Sequence, residues 1–202
     1  MAVLWNRHRF SGGLLILDAT NTVVLRGDAA RSFDRFGDAG EIARFASVAS
    51  VMRSTELGGR ALSFEPSGGA VRQVMDMREA ADRLFRSAAS SGELRVADLS
   101  AVLRRCGACL DGADEAVGGQ GRPFGNPARP MRLEAALAVS ALGLLAGDVW
   151  RKIRICANCN WLFVDRSRNG SRLWCDMAVC GNRRKARRHY ARKVAERELE
   201  DG

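Results

Sequence analysis

Cys156-Ala157-Asn158-Cys159-Asn160-Trp161-Leu162-Phe163-Val164 and, further on, Arg172-Leu173-Trp174-Cys175-Asp176-Met177-Ala178-Val179-Cys180 decide how the last quarter of this 202-residue chain folds. The cysteines read C-x2-C-x15-C-x4-C. Two close pairs separated by a hairpin-length stretch let four thiolates converge on one tetrahedral ion, and a shell of four thiolates leaves no open catalytic position. Four inert buried thiols are the competing reading, and the strongly basic surroundings of the quartet weigh against it.

Around the quartet, Trp161-Leu162-Phe163-Val164 and Arg172-Leu173-Trp174 are strand-like, and the turn-rich Asp165–Ser171 joins them. A cysteine knuckle, a hairpin and a second cysteine pair entering a helix make a treble-clef-like module. Iron also takes four thiolates, but no redox-partner feature accompanies this site, which favours zinc. A module this small buries little surface, and structural zinc contributes on the order of 10–16 kcal/mol in finger peptides. The metal is expected to hold the module together.

The chain carries a formal charge of +9, and residues 151–202 hold 14 Lys and Arg against 6 Asp and Glu, leaving only +1 for residues 1–150. At 100° per residue, Arg184, Lys185, Arg188 and Arg192 share a sector roughly 100° wide, with Ala186, Tyr190 and Val194 on the other side. The apolar stripe is expected to dock on the hairpin. The basic face then meets phosphates, and Arg168, Arg172, Arg183, Arg184, Lys185, Arg187, Arg188, Arg192 and Lys193 are the candidate nucleic-acid contacts. A solvated basic helix is the ordinary alternative. Trp161, Phe163 and Trp174 are either base-stacking platforms or a small core, the core being the commoner use.

Residues 1–150 read as a separate helical domain and 151–202 as the metal module. Leu14 to Leu25 reads as a short buried helix, with a strand as the alternative for so apolar a run. Asp38-Ala39-Gly40-Glu41 has capping-box spacing ahead of Ile42, Phe45, Ala46 and Ala49. Ser67 opens the longest helix, which Gly92 stops. Asp98 is placed as the cap of a helix with Leu99, Val102, Leu103, Cys106 and Leu110 on one face. Gly112 to Pro130 is too rich in breakers for regular structure, and Met131 to Trp150 is the most apolar helix. The fold class is therefore mainly α, with a β-hairpin and helix at the C-terminus.

Cys106 and Cys109 form another C-x2-C but lack a redox context, so they read as buried small hydrophobes. Asp18 and Asn21 could line a ligand pocket, although polar anchoring of a buried helix is the commoner role. His8 and His189 stand isolated, and no nucleophile–base constellation can be assembled, so an enzyme is not indicated. Arg7-His8-Arg9 before Leu14–Leu17 imitates a signal peptide, but the apolar run stops at Asp18 without a cleavage site. No stretch nears the ~18 apolar residues of a spanning helix. A reducing cytoplasm suits clustered, metal-binding cysteines.

Cys156-Ala157-Asn158-Cys159, Trp161–Asp165, Ser167-Arg168-Asn169, Trp174-Cys175-Asp176-Met177 and Cys180-Gly181-Asn182-Arg183 resemble the CGNR zinc finger. Gly12–Thr22 is similar to the opening of the ABATE domain that commonly precedes that finger. The resemblance implies a bacterial, stress-linked transcription regulator with zinc (Zn) at the four cysteines. With the basic helix, the leading expectation is that DNA is the partner and that the N-terminal domain dimerises or senses a small-molecule effector. RNA binding or a protein-interaction module is the alternative. Asp176 stands where the family usually has a small hydroxyl residue.

Overall fold

The structure is a computed structural model that describes residues 2–113, 116–119, 122–186, 190, 192 and 193. A 3-10 turn (Arg7–Phe10) leads to α1 (Leu15–Thr20), β1 (Val23–Val24), β2 (Phe33–Asp34), α2 (Ala39–Met52), α3 (Ser54–Leu57) and β3 (Leu62–Ser63). The chain continues through α4 (Gly68–Ser91), α5 (Val96–Leu110), β4 (Met131–Arg132), α6 (Leu133–Ala146), a second 3-10 turn (Asp148–Lys152), β5 (Ile153–Ile155), β6 (Leu162–Val164) and a π-turn (Met177–Gly181). The protein is mainly α, with its four clustered cysteines in a small module at the C-terminal end.

Local chemistry sets most boundaries. The Asp38 side chain accepts from the Glu41 amide at 2.8 Å and starts α2. Glu41 does not complete a reciprocal box; its carboxylate instead accepts from Val3 N and Trp5 Nε1, fastening the N-terminal segment over α2. Ser67 caps α4, and Gly92 ends it at φ +79°, a left-handed conformation that favours glycine. Asp98 is not a cap. The helix α5 starts two residues earlier, at Val96, leaving Asp98 in its first turn, where a carboxylate suits the positive helix end. Leu103 is also exposed, and the buried face of α5 runs through Val102, Cys106 and Cys109.

The apolar Leu14–Leu25 stretch forms only six helical residues, all buried, before Val23–Val24 turns into an antiparallel pair with Phe33–Asp34. Met131 likewise starts as strand, pairing parallel with Leu62, and helix begins at Leu133. Helix α6 is buried around nearly its whole circumference because α1, α4 and α5 pack against it. Its Ala-rich surface allows that close approach on several sides at once. The side chain of Arg78 on α4 grips Asp34 through two bonds of 2.7 Å, which fixes the β1–β2 ribbon against α4. Among the described residues no helix is long and apolar enough to cross a membrane.

One strand pairing differs from expectation. Residues 161–164 do not pair with Arg172–Trp174; β6 pairs antiparallel with β5, Ile153 opposite Val164 and Ile155 opposite Leu162. The C-x2-C knuckle reverses the chain within a few residues, with Asn160 at φ +63°, so the segments flanking it become neighbours. Residues 172–174 keep a single backbone bond to the knuckle, Ala157 N to Leu173 O at 3.0 Å.

Candidate metal centre

Strand alternation gives β6 two jobs. Leu162 and Val164 face the main core, whereas Trp161 and Phe163 pack with the cysteines in a second cluster. The hairpin thereby lies between the helices and the cysteine site. Val164 N donates to Gly12 O at 2.9 Å, and both atoms of the Asn21 amide engage the Leu162 backbone. Arg86 Nη1 donates to Asn160 O at 2.9 Å, and Asn160 Nδ2 donates to Arg26 O at 2.8 Å. The knuckle is thus moored to α4 and to the segment after β1, and β6 to the end of α1.

Within the module, Cys156 N donates to Trp161 O and Asn160 N donates to Cys156 O, which shapes the first pair. Asp165 closes the following loop: its carboxylate accepts from Ser167 N and from Arg172 N, each at 2.9 Å. Asp176 Oδ1 accepts from Ala178 N at 2.8 Å and starts the π-turn that presents Cys180. Gly181 follows in a buried position where an added Cβ would lie 2.3 Å from Met177 Sδ and 3.3 Å from Trp174.

The sulfurs of Cys156, Cys159, Cys175 and Cys180 all lie within 4.8 Å of one another, with Cys159–Cys175 at 3.6 Å and Cys175–Cys180 at 3.7 Å. All are free thiols. Four sulfurs around one ion at about 2.3 Å would be separated by about 3.8 Å, whereas a disulfide requires about 2.05 Å. The donor set therefore fits a tetrahedral ion. Hydrogen bonds from Cys159 and Cys175 hold the Cys156 thiol down to about 6, and bonds from the other three thiols lower Cys180. The same sharing, led by Cys156, raises Cys159 and Cys175. Close packing leaves some sulfurs donating to others, and a cation in their midst would remove the need for those protons.

Arg183, Arg184 and Lys185 are exposed and helical immediately beyond the π-turn, as are Arg192 and Lys193 further on; Arg168 is exposed in the Asp165–Ser171 loop. None of these six pairs with a carboxylate among the described residues. Arg187, Arg188, His189 and Val194 lie outside the described residues. Ala186 and Tyr190 are exposed, so the stripe expected to dock on the hairpin is undocked at both positions. The helix joins the module through buried Cys180 and Gly181 instead. Arg172 is partly committed: its Nη2 donates to Cys175 O at 2.7 Å and Trp174 O at 3.2 Å, and its guanidinium lies over Phe163. Trp161 and Phe163 are buried core, which leaves Trp174 as the partly open ring.

Asp18 and Asn21 are both buried and bonded within the protein, Asp18 to Gly12 N and Arg53, Asn21 to Leu162. Cys106 and Cys109 are buried in the helical core, and burial pushes their thiols up to about 11 and about 12. His8 is not isolated: its ring stacks on Trp161 and its Nδ1 lies 3.2 Å from Asp176 Oδ2. Arg35 also lies over Trp161, a contact that nothing near it in sequence announces.

Fold and site together define a helical protein that carries a four-thiol metal module. Compared with protein families, residues 152–193 match the CGNR zinc finger, and residues 13–148 match ABATE, described as "Putative stress-induced transcription regulator". The second match spans most of the chain, which belongs to the ABATE family. No curated protein matches it.

Proposed function

We propose that the protein is a zinc-dependent, DNA-binding transcription regulator of a bacterial cytoplasm that works by binding rather than catalysis. The observation that carries this reading is the continuity of the buried cysteine cluster with exposed Arg183, Arg184 and Lys185 immediately beyond Cys180. Zinc at Cys156, Cys159, Cys175 and Cys180 supplies a fixed, redox-inert cross-link. That cross-link holds the π-turn rigid, and the turn aims the start of the basic helix outward. Arginine suits both phosphate oxygens and guanine edges. The family description supports a regulatory role. The helical domain then serves dimerisation or effector sensing.

Selection of bound sequences from random duplexes, using full-length zinc-loaded protein, tests the reading. A recovered motif is the expected result. Recovery of no motif, with equal retention of folded RNA or of acidic protein, would replace it with an RNA-binding or protein-interaction module.

A further inference from the structure

The least explained charge near the module is Arg35. It follows β2 and is only 6% exposed, and its guanidinium makes one long bond, from Nη1 to Asn21 O at 3.4 Å. Among the described residues it has no carboxylate partner. Its guanidinium lies over Trp161 at 5.2 Å from the ring centroid, and Phe33 flanks it at 5.5 Å. Arg9 approaches the same ring at 6.0 Å, with its Nε buried and unbonded. Trp161 is packed directly among Cys156, Cys159, Cys175 and Cys180.

Burying a guanidinium without an anion is costly, and a second guanidinium beside it adds repulsion. Both penalties act here: burial and then Arg9 lower Arg35 to about 10, and burial and then Arg183 lower Arg9. Four thiolates around a dication carry a net charge of −2, which two guanidiniums would balance. The neighbouring Asp34 is taken by Arg78, so it does not serve as the counter-ion.

We propose that Arg35, assisted by Arg9, is a positioning residue of the metal centre, its guanidinium on Trp161 offsetting the negative charge that four thiolates hold in excess of a bound dication. The inference rests on the zinc reading of the cysteine quartet. It makes residues of the helical domain part of the metal site's outer shell, so zinc occupancy and the placement of the β1–β2 ribbon and the Arg7–Phe10 turn become linked.

The test uses full-length, reduced protein and zinc competition with a chromophoric chelator. Loss of an outer-shell partner typically costs 10–100-fold in metal affinity. Arg35→Met is expected to lose about tenfold or more, Arg35→Lys to stay within about threefold because it keeps the charge, and Arg9→Met to fall between them. Thermal melts add a readout that packing alone would not move: metal-free Arg35→Met should be as stable as the metal-free parent or more so, while the loaded variant is less stable than the loaded parent. An unchanged affinity in Arg35→Met overturns the proposal. Equal losses in the Met and Lys variants, or equal destabilisation with and without zinc, assign Arg35 to packing and overturn it too. Should Arg35→Met fail to fold, unchanged affinity in Arg9→Met does the same. A parent protein that holds no zinc removes the underlying metal reading instead, a separate and recognisable failure.

Discussion

Asn21 pairs with Leu162 as though it were a strand: its Nδ2 donates to the Leu162 carbonyl at 2.8 Å and its Oδ1 accepts from the Leu162 amide at 2.9 Å. The two residues are 141 positions apart, and the pair is buried. One side chain thereby satisfies both backbone groups of a β6 residue whose other neighbour, β5, bonds on the opposite edge.

Asn21→Leu should strand both Leu162 groups in a dry environment. Each unsatisfied group costs about 1–3 kcal/mol, so an overall loss of about 2–4 kcal/mol is expected. Denaturant titration of the zinc-loaded protein measures it. A loss under about 0.5 kcal/mol would show that water reaches the site and that the pairing is incidental.

Cys175→Ser should release the metal from the full-length chain. The residue touches both Cys159 and Cys180, at 3.6 and 3.7 Å, and a hydroxyl is a poor substitute for thiolate. Far-UV circular dichroism should retain most of its helical signal, because α1 to α6 are built from a separate apolar cluster. Replacing Cys106 and Cys109 together by Ala should leave zinc content unchanged. Elemental analysis decides both: full zinc in Cys175→Ser, or loss of zinc in the double variant, would contradict the assignment.

Glu56 should make stability fall with rising pH. Burial pushes its carboxyl up to about 7, against bonds from Ser140 Oγ and Leu15 N, and burial pushes neighbouring Asp18 up to about 6 despite Arg53. An acid with a raised folded pKa takes up protons on folding, so its contribution is complete below the unfolded value of about 4.5 and is lost as pH rises from there through the folded value of about 7. Glu56→Gln does not titrate. Its advantage over the parent should therefore grow from about pH 4.5 to about pH 7, approaching ~1.4 kcal/mol per unit within that window, and level off above it. Equal pH profiles for the two proteins would place Glu56 in a wetter, ordinary environment.

Duplex affinity should depend steeply on salt. With about four to six phosphates neutralised, log K should fall with log salt at a slope of roughly −4 to −5. Replacing Arg183, Arg184 and Lys185 together by Ala should reduce the magnitude of that slope by roughly 2 to 3 while zinc content stays whole. Unchanged affinity in the triple variant would move the nucleic-acid surface elsewhere.

Cysteine spacing by itself determined that Cys156, Cys159, Cys175 and Cys180 converge, because ligand pairs set two and four residues apart close their own turns. The caps at Asp38 and Ser67 and the stop at Gly92 were equally legible, since each rests on bonds or dihedrals within one turn of helix. The partner of residues 161–164 was not. Strand-like composition names a strand but not its neighbour, and here the knuckle's reversal set β5 beside β6 and left Arg172–Trp174 outside the ladder, with one backbone bond to the knuckle. Nor could the sequence reveal that Asn21 completes that hairpin, or that Arg35 sits over Trp161 with no carboxylate partner among the described residues. Those relationships join residues more than a hundred positions apart, and only the packing of α1, the β1–β2 ribbon and the hairpin into one core brings their charges and amides within reach.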